Sequence, residues 1–301
     1  MHVLVSGSSG LIGSALIAAL RKNSHSATCL LRPSTKVSDD FKFGRVAWDP
    51  DKNYIDWESI HRVDAVVHLA GENIARRWTP EQKAKVQGSR IAGTRLLCET
   101  IVKLPQAPRV LVAASAIGYY GDRGDEILTE ASPPGAGFLA DTCRAWEAAT
   151  EPAEKKGIRV VHLRIGVVLS PAGGALAKML TPFKLGLGGK IGSGKQFMSW
   201  VALDDVVGAI LHALTTEGLR GAVNAVAPNA VTNLEFTKTL GRVLSRPTIF
   251  PMPAFAARAA FGEMADELLL AGAHVQPAQL QAGGYRFQYP QLEGALRHLL
   301  A

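Results

Sequence analysis

Apolar positions along the chain fall into two alternating patterns. Short, nearly continuous apolar runs occupy residues 3–5, 28–31, 65–71, 109–115 and 159–168. Between them, residues 11–20, 80–102 and 138–156 carry apolar side chains at helical spacing. Strands buried on both faces read as unbroken apolar runs, because helices cover each side of a parallel sheet. The alternation therefore predicts an α/β chain with a doubly wound parallel sheet. Arg21 and Lys22 close the first helical segment, where cations suit the negative end of the helix dipole.

Past Leu169 the pattern changes. Residues 170–200 are rich in Gly, Lys and Pro, a composition able to reach over a ligand. A helix is expected over 204–214, a strand over 222–227 and a helix over 232–244, the last capped reciprocally by Thr232 and Glu235. The Pro-rich stretch 246–253 and a helical tail to residue 301 predict a small second lobe.

Composition narrows the class. The 301 residues are 47% hydrophobic and 20% charged, which suits one large domain with a side lobe. No apolar run is long enough to cross a bilayer, so no membrane partner is expected. A strand begins at Val3, leaving no room for a signal peptide. Cys29, Cys98 and Cys143 are scattered without metal-ligand spacing, which predicts packed thiols and a cytoplasmic location. The net charge of +7 comes without basic runs or RNA-binding signatures, so no nucleic-acid partner is expected. A phosphate-bearing small molecule suits the charge.

The chemistry starts at the first turn. Gly7-Ser8-Ser9-Gly10-Leu11-Ile12-Gly13 spells Gly-x-x-Gly-x-x-Gly directly between strand and helix. The early glycines let backbone approach a pyrophosphate, and the last lets the helix pack on the strand. Helix amides and dipole then hold the phosphate charge. Glycines alone are weak evidence, but this strand-and-helix context points to a dinucleotide. The second strand ends at Arg32, with Ser34 beyond. An acidic residue there would meet the ribose hydroxyls of NAD(H); an arginine accommodates the 2′-phosphate of NADP(H) instead. NADP(H) is thus expected over NAD(H), the alternative being an arginine in solvent. The expected division is a dinucleotide-binding domain of residues 1–169 plus 202–227. Residues 170–201 plus 228–301 would form a smaller substrate lobe.

Further motifs accompany the loop: His68-Leu69-Ala70-Gly71, Ser115-Ala116-Ile117-Gly118-Tyr119-Tyr120-Gly121 and Trp200-Val201-x-x-Asp204-Asp205. With Arg77-Trp78-Thr79, Ser89-Arg90, Gly262-Glu263-Met264 and Gly284-Tyr285-x-Phe287, they extend from end to end. The chain resembles the short-chain dehydrogenase/reductase superfamily, and most closely its atypical NAD(P)-dependent epimerase/dehydratase-like branch. That resemblance implies an NAD(P)-binding Rossmann fold with a C-terminal substrate lobe, acting on an unknown small molecule. It implies cofactor contacts from the glycine loop, Arg32, Ala70 and Gly71, and places Ser115 beside the nicotinamide. It also implies a homodimer paired through helices, as in many superfamily members.

The resemblance breaks at the catalytic pair. The superfamily uses a tyrosine as acid or base, and a lysine one helical turn later that lowers the tyrosine pKa and holds the ribose. Counting back from Glu147 puts Leu139 and Cys143, or their neighbours, in those places; no Tyr-x-x-x-Lys exists there. Ser115, Tyr119 and Glu72 become the catalytic candidates, with Tyr120 read as a packed ring. Three readings stay open: an unusual oxidoreductase or epimerase, a non-catalytic NADP(H)-binding redox sensor, and a protein-binding scaffold, which the intact loop opposes. Lys184, Lys190 and Lys195 are candidates for anionic groups, and Gln196, Met198, Ser199 and Trp200 for pocket walls. Asp204 and Asp205 are expected to cap a helix, and His68 to be a satisfied core histidine. No hydrolase elbow or metal cluster is present in the sequence.

Overall fold

The computed structural model describes residues 1–35, 43–60 and 62–301. The chain opens as strand β1 (His2–Ser6), helix α1 (Leu11–Lys22) and strand β2 (Ser26–Leu31), with β2 parallel to β1. Two strands that hydropathy did not announce follow: β3 (Gly44–Asp49), parallel to β2, and the short antiparallel β4 (Tyr54–Ile55). The chain then returns across the sheet to β5 (Ala65–His68), on the other side of β1. Helix α2 (Pro80–Ile101), β6 (Val110–Ala116) and the short β7 (Ile127–Leu128) come next. Helices α3 (Phe138–Ala148) and α4 (Glu151–Lys155) lead into β8 (Arg159–Ile165) and β9 (Val167–Leu169). The second half holds α5 (Gly174–Lys184), β10 (Phe197–Met198), β11 (Trp200–Ala202), α6 (Leu203–Thr215) and β12 (Gly221–Ala225). It ends with β13 (Val231–Thr232), α7 (Asn233–Leu244), α8 (Ala254–Phe261), β14 (His274–Val275), α9 (Ala278–Ala282) and α10 (Leu292–Leu300).

The main sheet has the order β12-β8-β6-β5-β1-β2-β3-β4, parallel throughout except at β4. This is a Rossmann fold. Strand side chains alternate between faces, and the two halves of the core follow that period of two. Val3, Val5, Ala65, Val67 and Val112 pack with Leu16 and Leu20 of α1 and Val206 and Ile210 of α6. Leu4, Val66 and Leu111 face the other way, against Leu97 and Ile101 of α2. A third cluster joins Leu176, Phe183, Trp200, Phe236, Leu240, Leu292 and Leu296 beyond the sheet. Among the described residues no helix is long and apolar enough to cross a membrane.

Two segments differ from expectation for local reasons. The helix predicted over 138–156 breaks at residues 149–150, and Pro152 falls in the first turn of the restarted helix, where its missing N–H does no harm. The strand predicted over 159–168 is interrupted at Gly166, whose Cα faces Ser199 so closely that a Cβ would stand 2.4 Å from that carbonyl oxygen. Past this point the chain leaves the large sheet, and Val167–Leu169 pairs with Trp200–Ala202. The capping box of Thr232 and Glu235 is present. Asp205, by contrast, does not cap α6: its buried carboxylate accepts from Tyr285 Oη (3.0 Å) and from the amides of Gln288 (2.8 Å) and Tyr289 (2.9 Å).

Candidate functional site

The glycine loop lies where the sheet order reverses, between the carboxyl ends of β1 and β5. Open α/β sheets bind ligands at this position. Gly7 has φ +70°, and a Cβ on it would stand 2.7 Å from the Leu69 carbonyl carbon. A Cβ on Gly13 would lie 2.1 Å from Gly7 O, so only glycine lets α1 approach β1 this closely. The Gly10 amide closes the turn on Gly7 O at 3.0 Å. Gly10 also caps α1, with no side-chain cap and no acidic residue in the first turn. The positive end of α1 is therefore left for an external anion. Ser8 Oγ is buried without a hydrogen-bond partner of good geometry, the Cys29 thiol being only a weak neighbour. Gly7, Ser8, Ser9, Gly10, Leu11, Ile12 and Gly13 thus form one concave turn with an orphaned hydroxyl, which suits a dinucleotide diphosphate.

Arg32 directly follows β2, and its Nη1 lies 3.0 Å from Asp51 Oδ2; the side chains are 48% and 65% exposed. Such a surface pair is weak, so a phosphate dianion competes for the guanidinium on favourable terms. Ser34 is exposed two residues further on. At the β5 end, the amides of Leu69 and Ala70 donate to Ser6 Oγ at 3.2 and 3.3 Å. Ser6 Oγ is also 2.6 Å from His68 Nδ1, and His68 Nε2 is 3.0 Å from Thr94 Oγ1. With two amides already on Ser6 Oγ, its proton goes to Nδ1, so His68 carries its own proton on Nε2. Burial lowers the His68 pKa to about 4, leaving the ring neutral. It is a core histidine, satisfied on both nitrogens.

Ser115 is buried, 3% exposed, and its hydroxyl donates to Glu147 Oε1 at 2.7 Å. Glu147 in turn holds Arg164 from β8 in a two-pronged pair, with Nε–Oε1 and Nη2–Oε2 both 2.8 Å. Arg164 Nη1 donates to Tyr120 Oη at 3.0 Å, and Tyr120 donates to Asn224 Oδ1 at 2.7 Å. Burial works against the Arg164 charge, but the hydrogen bonds and charge of Glu147 outweigh it and raise the guanidinium pKa. The Arg164 Cζ lies 3.4 Å from the centroid of Tyr119, whose ring meets Tyr120 edge-on. Ser115 and Tyr119 therefore meet at one buried ion pair. The sequence reading missed Glu147 and Arg164. Its available signal was the lone arginine near the end of the apolar β8, because a charge in a buried strand needs a partner.

Glu72 sits apart, in the loop after β5, half-buried. Its amide donates to Ser89 Oγ (3.0 Å), and its carbonyl accepts from Arg90 Nη1 (3.0 Å). Between the Arg90 and Ser115 sides lies Cys143, buried and interacting electrostatically with both Arg90 and Glu147; burial above all pushes its thiol up to about 11. A cleft of about 410 Å³ opens nearby, lined by Trp78, Lys83 and Phe138 and by Glu263 from beyond α8. Lys83 Nζ meets Glu263 Oε1 at 2.7 Å, and the Glu267 carboxylate accepts from the Phe138 and Leu139 amides, both at 3.0 Å. The proposed pocket walls behave differently. Trp200 and Ser199 are built into the core, Trp200 Nε1 donating to Asn229 O and Ser199 Oγ to Ala273 O. Lys184 and Lys195 are exposed, and Lys190 Nζ donates to Ser193 O.

Residues 3–226 match the model of the NAD dependent epimerase/dehydratase family. The chain belongs to this family. Residues 252–299 match a further model, a domain of unknown function. An epimerase family protein of Mycobacterium tuberculosis is 44% identical over 295 residues, covering 98% of this chain and 96% of that protein. The human epimerase family protein SDR39U1 is 39% identical over 306 residues and covered in full on both sides. A crystal structure of human SDR39U1 (isoform 2) with NADPH superposes with TM-score 0.89 at 37% identity, covering 99% of each chain. A UDP-glucose 4-epimerase of Thermotoga maritima shares the fold, with TM-score 0.78 at 20% identity.

Proposed function

We propose that this chain is an NADP(H)-dependent oxidoreductase or epimerase acting at a hydroxyl- or carbonyl-bearing carbon of a small molecule. One observation carries the reading: the turn from Gly7 to Gly13 leaves no room for a Cβ at Gly7 or Gly13, keeps a helix end free and leaves the Ser8 hydroxyl orphaned. The NADPH in the structure of a 37% identical relative supports it. Arg32 and Ser34 support NADP(H) over NAD(H), and Ala70 and Gly71 border the same site.

A bound nicotinamide would supply hydride transfer. The chain supplies the rest. Glu147, paired with Arg164, is an acceptor without a proton to give, so the Ser115 proton points to it. Ser115 Oγ is then left with lone pairs, which accept from a substrate hydroxyl. Tyr119, held against Arg164, and Glu72, at the carboxyl end of β5, are the proposed proton-carrying groups. The test is NADPH consumption against a panel of carbonyl compounds, together with NMR detection of inverted hydroxyl-bearing compounds in the presence of NADP+, since epimerisation leaves no net change in cofactor, each with wild type and Ser115→Ala. Turnover that the variant loses supports the proposal. Saturable NADPH binding without turnover on any compound would make the chain a binding protein.

A further inference from the structure

Beside the proposed cofactor site lies a cation with no carboxylate of its own. Arg90 comes from the middle of α2, half-buried as a residue, with its guanidinium the desolvated end. Nη1 donates to the carbonyls of Glu72 (3.0 Å) and Val86 (3.1 Å), and Cζ lies 5.0 Å from the Trp146 ring centroid. A Cβ on Gly71 would stand only 3.3 Å from Cζ, so the guanidinium lies against the backbone at the end of β5. Among the described residues no carboxylate forms an ion pair with it, and Nε and Nη2 hold no hydrogen bond. Burial lowers its pKa, against opposing influences from Cys143 and Glu72 that include no ion pair. A desolvated cation with neutral partners is costly. It persists where an anion or polar ligand completes it.

Counting along α3 puts the lysine of the missing catalytic pair at Cys143 or a neighbour of it. The α3 cation there, Arg144, is half exposed and paired with Asp141, so the desolvated cation at this place comes from α2. We propose that Arg90 takes over the work of that lysine, holding ribose and phosphate oxygens of the dinucleotide beside Gly71 through its free Nε and Nη2. An arginine fork suits such oxygens better than an ammonium, because two parallel donors meet them at once. The inference rests on the NADP(H) reading.

The experiment is direct titration of purified protein with NADPH and NADH. Arg90→Met weakens both nucleotides by about tenfold or more, the loss of a charged hydrogen bond, and Arg90→Lys recovers most of it. Arg32→Ala weakens NADPH alone, which separates the two cations. Arg90→His gives a readout that a packing role would not move. Its NADH affinity rises as pH falls through about 6.5, the ordinary histidine pKa, while wild type stays flat. NADH is used there because the 2′-phosphate of NADPH itself titrates in that range. Should Arg90→Met fail to fold, the lysine and histidine variants decide the matter. Wild-type affinities in Arg90→Met, or no pH dependence in Arg90→His, would overturn the assignment to Arg90 alone. A wild type that binds neither nucleotide sinks the cofactor reading and this inference with it.

Discussion

Gly13→Ala tests the packing that shapes the cofactor turn. The added methyl would stand 2.1 Å from Gly7 O and 2.8 Å from Gly7 C and Ser8 Cα, all backbone atoms. None can swing away as a side-chain tip would, so α1 must move off β1 by about an ångström to reach ordinary contact. Overpacking of this kind costs about 1–3 kcal/mol. Alanine in a helix returns about 1 kcal/mol. Taking the upper end of the steric cost, the net loss is about 2 kcal/mol, a drop of about 3 °C in melting temperature for a chain of this size. The shift displaces the diphosphate cradle itself, so NADPH affinity falls by more than about tenfold. Gly88→Ala is the control: Gly88 lies inside α2 with nothing within 4 Å of its Cβ position. It should stabilise by up to about 1 kcal/mol and leave binding alone. Thermal unfolding and fluorescence titration read both variants. If Gly13→Ala binds NADPH like wild type and melts no lower, the close approach of helix and strand is not what shapes this site.

Three further outcomes follow from the site. Arg32→Ala lowers NADPH affinity about tenfold and leaves NADH affinity unchanged, measured by parallel titrations; equal losses would remove Arg32 from the 2′-phosphate. Glu147→Gln strands the Arg164 charge, since the two side chains are 11% and 5% exposed. It should cost about 3 kcal/mol in urea unfolding, and a loss under about 1 kcal/mol would show the pair to be structurally idle. His68, with a folded pKa of about 4 against 6.5 unfolded, binds its proton first in the unfolded chain. Its contribution is therefore complete above pH 6.5 and is lost as pH falls toward 4, by about 1.4 kcal/mol per unit. His68→Gln should flatten that part of the stability profile.

The glycine turn was legible because its chemistry is local. Strand, glycines and helix are consecutive, and Gly7 and Gly13 meet within seven residues. The central strands were legible because burial on both faces leaves Val3–Val5 and Val66–Val67 no polar alternation. β3 was not, since Arg45 interrupts its apolar run and only Val46 and Trp48 face the core. The network around Ser115 was hidden for a different reason. Ser115, Glu147, Arg164 and Asn224 come from four elements far apart in sequence, and no spacing rule joins them. The same holds for Arg90, whose meaning depends on Gly71 and Cys143 lying on either side of it. Asp205 was misread because an acid in the first turn of a helix ordinarily serves that helix.

The carboxylate of Asp205 has a bearing on how such chains are rebuilt. The two segments matched by family models, 3–226 and 252–299, look separable on a linear map. Asp205 belongs to the first, and every group it satisfies, at Tyr285, Gln288 and Tyr289, belongs to the second. A chimaera that grafts a foreign tail must reproduce one phenol and two amides in register. Without them it leaves a negative charge stranded in the interior, so the tail is best exchanged together with α6.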